Sequence, residues 1–113
     1  MVGIDLLEVD RMAAALQRTP NLKARLFTEG EQTYAERQAV PARHYAARFC
    51  AKEAVVKALE LTVWDARDIE VTHKPTGAPA VVLHGPLAGR GPIALSITHT
   101  ALAAAAVAMV VAA

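Results

Sequence analysis

The longest helical pattern in this sequence is centred on the segment FCAKEAVVKA, residues 49–58. No Gly or Pro occurs between Ala42 and Leu61, and the segment is rich in Ala, Lys, Glu and Leu, which have high helix propensity. Pro41 suits the first turn of such a helix. We therefore predict one long helix from about Pro41, against which the rest of the chain packs.

One face of this helix combines apolar residues with an acid and a base. At about 100° per residue, Glu53 and Lys57 share a face. Ala46, Phe49 and Cys50 lie on the same face. A pair spaced (i, i+4) on an arbitrary helix is usually an exposed ion pair, worth a few tenths of a kcal/mol. Because this stripe is largely apolar, we expect both charged side chains to point toward the interior.

One strand and three helix starts are predicted in the first half of the chain. Residues 2–7 form a strand that contains the segment GID, residues 9–18 form an amphipathic helix, and a short helix follows as far as about residue 26. Thr28, with Glu31 three residues later, has the spacing of a capping box, which predicts another helix start.

The second half of the chain predicts strands. Residues 68–73 and 80–84 flank KPTGAP, a turn-rich link typical of a hairpin, and residues 93–98 alternate apolar and small polar side chains. In the apolar tail, residues 101–113, alanine favours helix whereas the valines favour a core strand, which we choose. The predicted fold class is α+β, an antiparallel sheet packed on the long helix.

Length and charge restrict the class of protein. A chain of 113 residues is predicted to form a single domain, residues 1–113. A net charge of +1 leaves no strong basic field, so nucleic acid is not the expected partner. Asp5, Glu8 and Asp10 occupy positions where a signal peptide would be apolar, so we expect none. The apolar tail is shorter than the about 20 residues that cross a bilayer, so we also expect no membrane association.

The single cysteine, Cys50, excludes an intramolecular disulfide and suits a reducing, cytoplasmic compartment. Its apolar neighbours predict a packed thiol, not a nucleophile.

Several segments together resemble one known family. GID at the end of a strand and FCxKEAxxK on a helix are similar to the signature of the 4'-phosphopantetheinyl transferases. TEGE at residues 28–31, DIEV at 68–71 and SITHT at 96–100 make the chain most similar to the short holo-acyl-carrier-protein synthase type. These segments occur in the family's order, and the resemblance also favours a strand for the tail.

The resemblance implies a reaction and an assembly. The 4'-phosphopantetheinyl group passes from coenzyme A to a serine of an apo acyl carrier protein, with release of adenosine 3',5'-bisphosphate, and the active sites lie between subunits of a homotrimer. Asp5 and Glu53 match the family's Mg²⁺ ligands, in keeping with the preference of Mg²⁺ for carboxylates, phosphate oxygens and water. Either Glu53 itself or a metal-bound water removes the serine proton, and the sequence leaves both routes open.

Three basic residues of the long helix are assigned to coenzyme A. Lys57 matches the family's phosphate-binding lysine, which stabilises charge on the leaving bisphosphate. Lys52 lies about 100° around the helix from Glu53, so we assign it to a phosphate at the pocket rim or to a neighbouring subunit. Arg48 suits contact with a coenzyme A molecule held mainly by another subunit.

The family's segment beside the coenzyme A nucleotide is matched by Ser96, Thr98 and His99. The other histidines have no comparable context and are interpreted as surface or filler residues: His44, His73 and His84.

Docking of an acidic carrier protein is assigned to Arg11, Arg18 and Arg25. Arg11 and Arg25 match basic positions of the family, and Arg18 is inferred from its spacing of seven from Arg11 on one helix face. The alternative is that these arginines only keep the protein in solution.

Two departures from the family pattern keep alternatives open. A glycine-containing stretch that follows the long helix in typical members is replaced here by ELTVW, residues 60–64, and the first strand is truncated. One alternative is therefore a catalytically weakened, binding-only trimer. An unrelated metal-dependent phosphohydrolase ranks last, because the chain has no HxxxH, DxD or Walker sequence. Fatty-acid, polyketide and peptide-synthetase carriers all remain compatible with the sequence.

Overall fold

The computed structural model describes residues 1–111, in which five strands and four α-helices follow one another in the order βααααββββ. The elements are β1 Val2–Glu8, α1 Val9–Arg18, α2 Leu22–Leu26, α3 Glu29–Glu36, α4 Pro41–Leu59, β2 Ile69–His73, β3 Pro79–Leu83, β4 Ile93–His99 and β5 Ala103–Val110. No helix of this described part is long and apolar enough to cross a membrane.

The strands form two antiparallel sheets. A three-stranded sheet has the order β1-β5-β4, and β2 pairs only with β3 in a separate hairpin. In the larger sheet, Ile4 pairs with Val107, which in turn pairs with Ser96. The α+β prediction is confirmed, with the sheet divided in two. The strand interpretation of the tail is also confirmed, although residues 112 and 113 lie outside the described residues.

Helix α4 covers one face of the three-stranded sheet, and small residues allow it to lie close. Ala104, Ala106 and Ala108 of β5 are buried beneath it. On β1, a Cβ atom added to Gly3 would lie 2.8 Å from the backbone nitrogen of Ala58. The sheet therefore contacts the helix almost backbone to backbone, which brings the side chains of β1 beside those of α4.

Local signals account for the helix starts. Thr28 Oγ1 accepts a hydrogen bond from the Glu31 amide at 3.2 Å, and Glu31 Oε1 accepts one from the Thr28 amide at 2.8 Å, so the predicted capping box is confirmed. Helix α4 begins at Pro41, also as predicted.

The other face of the three-stranded sheet is uncovered and apolar. Ile4 and Leu6 of β1 are 68% and 66% exposed, and Met109 of β5 is 52% exposed. An apolar sheet face is normally packed against another layer, so this face is available for a partner.

Candidate active site

An acid and a base meet where strand β1 passes helix α4. Lys57 Nζ donates a hydrogen bond to the carbonyl oxygen of Ile4 at 2.8 Å, and it lies 3.3 Å from Asp5 Oδ1. Glu53, one turn before Lys57, lines the same cleft as Asp5. The structure thus brings together the three predicted catalytic residues, which come from distant parts of the sequence.

The environment of Glu53 disfavours its charged form. Burial raises the pKa of Glu53, the negative charge of Asp5 raises this pKa further, and Lys57 opposes both effects. A divalent cation between the carboxylates would relieve this repulsion. The described residues hold no group of three or more His, Cys, Asp or Glu side chains suited to a metal, so further ligands would come from substrate and water. Two carboxylates with open positions fit Mg²⁺, which retains waters and binds phosphate oxygens.

The orientation predicted for Lys57 is wrong. Its side chain is 53% exposed, whereas the side chain of Asp5 is 21% exposed. Gly3 and the carbonyl of Ile4 fill the space next to α4, so the long lysine side chain passes over β1 and keeps its ammonium in solvent. An exposed ammonium is accessible to a ligand.

Cys50 is a packed thiol, as predicted. It is fully buried, and its Sγ donates to the carbonyl oxygen of Ala104 at 3.4 Å. Burial and the nearby charge of Asp5 raise the pKa of Cys50 to about 12, so the thiol stays protonated and unreactive.

The assignment of Lys52 to a phosphate is wrong. Lys52 is fully buried, and its Nζ donates to Glu31 Oε1 at 2.8 Å, to the carbonyl oxygen of Ala66 at 2.6 Å and to that of Ile69. These three bonds use all three donors of the ammonium. Lys52 therefore ties α4 to α3 and to the start of β2, and no donor remains for a ligand.

A cleft of about 350 Å³ adjoins the two carboxylates. Besides Asp5 and Glu53, it is lined by Arg11 and by apolar side chains of β1, α1, α2 and α4, namely Leu6, Leu7, Met12, Ala15, Leu22, Leu26 and Phe49. Arg18 and Arg25 are exposed on the same two helices, α1 and α2. Of the three predicted docking arginines, Arg11 is the one that lines the cleft together with Asp5 and Glu53.

Arg48 and His99 line a second cleft, of about 190 Å³. Arg48 is only 3% exposed, and its guanidinium lies 4.0 Å from the ring centre of Tyr34. His44 and His73, which the sequence indicated to be surface or filler residues, also line this cleft. No local pattern could have identified them, because they lie on different elements and meet only in the folded chain.

Ser96 and Thr98 do not share the cleft with His99. They line a shallow pocket with Ile4 and Val107 on the uncovered face of the sheet, because alternate residues of a strand point to opposite faces. The predicted nucleotide segment is thus divided between two surfaces of one subunit. The remaining histidine, His84, lies 2.9 Å from Glu70 and outside both clefts.

The glycine-free turn after α4 keeps a conformation that usually favours glycine. Glu60 has φ 56° and ψ 42°, in the left-handed region, and the amide of Leu61 bonds to the carbonyl of Val56. The helix therefore ends as it would with a glycine, although a side chain is present at this position.

Two carboxylates beside a lysine form a site suited to phosphoryl transfer. Residues 1–109 match the model of the 4'-phosphopantetheinyl transferase superfamily, and the chain belongs to this superfamily. The holo-(acyl-carrier-protein) synthase of Moorella thermoacetica is 42% identical, over 96% of this chain and 91% of that protein. The corresponding synthase of Solibacter usitatus is 44% identical, over 88% of this chain and 87% of that protein.

Solved structures agree with this family. The Helicobacter pylori holo-(acyl-carrier-protein) synthase in complex with coenzyme A superposes with a TM-score of 0.86 at 25% identity. The superposition covers 98% of this chain and 100% of that chain. The Mycobacterium tuberculosis acyl carrier protein synthase has a TM-score of 0.75 at 38% identity, over 95% and 92% of the two chains. The resemblance predicted from the sequence motifs is confirmed.

Proposed function

We propose that this protein transfers the 4'-phosphopantetheinyl group from coenzyme A to a serine of an apo acyl carrier protein and releases adenosine 3',5'-bisphosphate. The observation that carries the proposal is the junction of β1 and α4, where Asp5, Glu53 and Lys57 meet. Relatives named holo-(acyl-carrier-protein) synthase support it, since one of them is 42% identical over 96% of the chain.

Asp5 and Glu53 are the residues that would hold Mg²⁺. When bound, the ion neutralises part of the charge on the pyrophosphate that undergoes attack. The donor set supports this choice, because two neighbouring carboxylates, one with a raised pKa, gain from a divalent cation and leave positions for phosphate oxygens.

Glu53 also has the properties of a base. A carboxylate is able to accept a proton, and Glu53 borders the cleft that opens toward solvent. The serine proton goes to Glu53 either directly or through an intervening water.

Lys57 binds the pyrophosphate and stabilises negative charge on the leaving bisphosphate. Its ammonium is exposed, is held by the carbonyl of Ile4 and lies beside Asp5, so it is both positioned and accessible. A compact ammonium suits a phosphate oxygen, and charge stabilisation at this point grows toward the transition state.

Arg48 and His99 are proposed to contact the nucleotide end of coenzyme A in a neighbouring subunit. Within one chain, Asp5 on β1 and His99 on β4 lie on the two outer strands of the sheet, with β5 between them. A ligand held by both groups is most simply placed between two subunits. Ser96 and Thr98, on the uncovered face, would then contact the neighbour or a ligand at the interface.

A homotrimer would cover the uncovered sheet face. The exposed side chains of β1 and β5, including Ile4, Leu6 and Met109, form an apolar surface next to Ser96 and Thr98. Association through this face would remove it from water, which is a strong driving force for a domain of only 113 residues.

Arg11, Arg18 and Arg25 are proposed to dock the acidic carrier protein. All three are exposed, and Arg11 lines the cleft of Asp5 and Glu53, so a carrier bound there would present its serine near the carboxylates. We further propose a cytoplasmic location and a single transferase domain over residues 1–113.

The alternative function is a binding-only trimer, for which the glycine-free turn at Glu60 is the motivating feature. The test is mass spectrometry of an apo acyl carrier protein after incubation with this protein, coenzyme A and Mg²⁺. We expect a phosphopantetheine-sized increment on one serine, and no increment with Asp5→Ala. Coenzyme A binding without any increment would instead favour the binding-only protein.

A further inference from the structure

The cleft of Arg48 and His99 contains four aromatic rings, each in contact with the next. The rings of His73 and Tyr34 stack with centroids 4.6 Å apart. Tyr34 meets His44 edge-on at 5.8 Å, and His44 meets His99 edge-on at 5.2 Å. We call these four residues the histidine ladder. The order is His73, Tyr34, His44 and His99, so three imidazoles share one cleft with a tyrosine between two of them, and they can hold several positive charges when they are protonated.

The titratable groups that form and surround the ladder are all basic except Tyr34. They come from every element that packs against it: Tyr34 from α3, Arg43, His44 and Arg48 from α4, His73 from β2 and His99 from β4. Among the described residues, no Asp or Glu lines the cleft. The charge of Glu31 does act on Arg48, but Glu31 is fully buried and already accepts hydrogen bonds from Lys52 and from the Val71 amide.

The buried guanidinium of Arg48, which lines this cleft, has one nitrogen without a hydrogen-bond partner among the described residues. Within the part of the chain that the structure describes, the Nε atoms of Arg43 and Arg48 are the buried side-chain nitrogen or oxygen atoms without a hydrogen bond. Arg48 is only 3% exposed. An N–H of a buried cation that has no hydrogen-bond partner costs free energy of folding. A bound anion would supply both the missing acceptor and the missing negative charge.

In the absence of an anion, His44 and His73 resist protonation. Burial lowers the pKa of His44, and the nearby charges of His99, Arg48, Arg43 and His73 lower it further. Partial desolvation of the ring, with the charge of Arg48, also lowers the pKa of His73, although the residue as a whole is exposed. Both residues are therefore neutral near neutral pH.

We propose that the histidine ladder makes this cleft a proton-linked anion site, in which a bound phosphate group is accompanied by uptake of protons on His44 and His73. The inference rests on the proposed function, in which the anion is the phosphorylated nucleotide end of coenzyme A. A phosphate close to an imidazole favours its charged form and reverses the effect of the arginines.

The sign of the pH effect follows from this linkage. When the pH is above the pKa values that the imidazoles have in the anion-bound protein, they are neutral and add nothing to the affinity for the anion. When the pH is below those pKa values, each protonated imidazole strengthens anion binding. An imidazole whose pKa rises by about one unit on binding contributes up to about tenfold in affinity. Affinity for the anion therefore increases as the pH falls from about 8 to about 6, the range in which histidine changes charge.

The test uses adenosine 3',5'-bisphosphate as the probe and isothermal titration calorimetry of the full chain in buffers of different ionisation enthalpy, at about pH 6 and about pH 8. The phosphates of the probe titrate near pH 6 themselves. Proton uptake by the wild type is therefore compared with that by His44→Gln/His73→Gln, for which the contribution of the probe is the same.

We expect the wild type to take up more protons than the double variant at the lower pH. Between about pH 8 and about pH 6, the affinity of the wild type for the probe should also increase by about threefold to tenfold more than that of the double variant. His84→Gln, outside the cleft, should behave as the wild type does. Should the double variant fail to fold, as judged by circular dichroism, the exposed His73→Gln alone should lose part of the uptake.

Equal proton uptake by the wild type and the histidine variants would overturn the inference, and so would an absence of probe binding at both pH values. Failure of the proposed function is recognised separately. A protein that never modifies the carrier at about pH 8, where His44 and His73 are neutral, is not the proposed transferase. A protein that modifies the carrier but binds the probe without linked protons refutes only the proton linkage.

Discussion

A Cβ atom added to Gly3 would lie 2.8 Å from the Cβ of Lys57. Side-chain carbons in proteins do not approach so closely, so β1 can contact α4 only because residue 3 has no side chain. Asp5 lies two residues further along β1, and its position beside Lys57 and Glu53 depends on this contact.

Gly3→Ala should therefore separate the strand from the helix. We expect a loss of about 1–3 kcal/mol in the free energy of unfolding, as for overpacked cores, together with reduced transfer activity. Urea denaturation measures the first effect. Gly30→Ala is the matched control, because its new Cβ would meet side-chain oxygens instead of backbone, namely Glu70 Oε2 at 3.2 Å and Thr28 Oγ1 at 3.9 Å. Equal stability of the two variants would contradict the packing argument.

Glu53→Gln should abolish transfer and yet stabilise the protein when a chelator removes divalent cations. The folded-state pKa of Glu53 lies above its unfolded value, so ionisation of this group opposes folding. The gain from glutamine should be present at neutral pH and vanish as the pH falls below the unfolded pKa, where the glutamic acid is neutral in both states. Thermal unfolding across pH with a chelator measures the difference, and a variant less stable than wild type at neutral pH would refute the argument.

Lys57→Ala should lower kcat more than it raises KM for coenzyme A, because the charge that Lys57 stabilises grows toward the transition state. Stability should change little, since the side chain is half exposed. Lys57→Arg should restore only part of the rate, because a planar guanidinium does not replace a compact ammonium. Steady-state kinetics with coenzyme A as the varied substrate measure this, and an unchanged kcat would assign Lys57 to ground-state binding alone.

Lys52→Met should destabilise the fold by about 3–5 kcal/mol, because it leaves the charge of the fully buried Glu31 without its cationic partner. Lys23→Met breaks an ion pair with Glu36 of similar length, 2.9 Å, but on the surface, and should cost at most about 1 kcal/mol. Urea denaturation compares the two variants. A stable Lys52→Met whose only defect is a higher KM for coenzyme A would return Lys52 to the phosphate site.

Arg11→Glu should raise KM for the carrier protein and leave KM for coenzyme A nearly unchanged. Carrier and enzyme would attract each other less, so the dependence of the rate on salt should flatten, since salt screens exposed charges beyond about 8–10 Å. Kinetics at low and high salt, with each substrate varied in turn, measure this effect. Identical constants for wild type and variant at low salt would mean that Arg11 does not dock the carrier.

Features specified by neighbouring residues could be predicted from the sequence. The capping box of Thr28 and Glu31 and the start of α4 at Pro41 depend on contacts within one helical turn. The roles proposed for Asp5, Glu53 and Lys57 came from matching motifs, and the meeting of these residues was confirmed. Spacing alone could not have shown it, because Asp5 and Lys57 are 52 positions apart.

The sequence by itself thus determined the family and the fold class and supplied the residues of the proposed catalytic cluster, because these depend on local propensity and on short motifs that survive in the linear chain. Only the tertiary structure decided which lysine is buried and which is free. Helical periodicity predicts a single inward face for α4, but in the fold this helix packs on the sheet on one side and on α3 and β2 on another. Lys52 is therefore enclosed between α4, α3 and β2, whereas the side chain of Lys57 passes over β1 into solvent. The histidine ladder likewise exists only in the fold, because Tyr34, His44, His73 and His99 come from four elements whose packing no local pattern encodes.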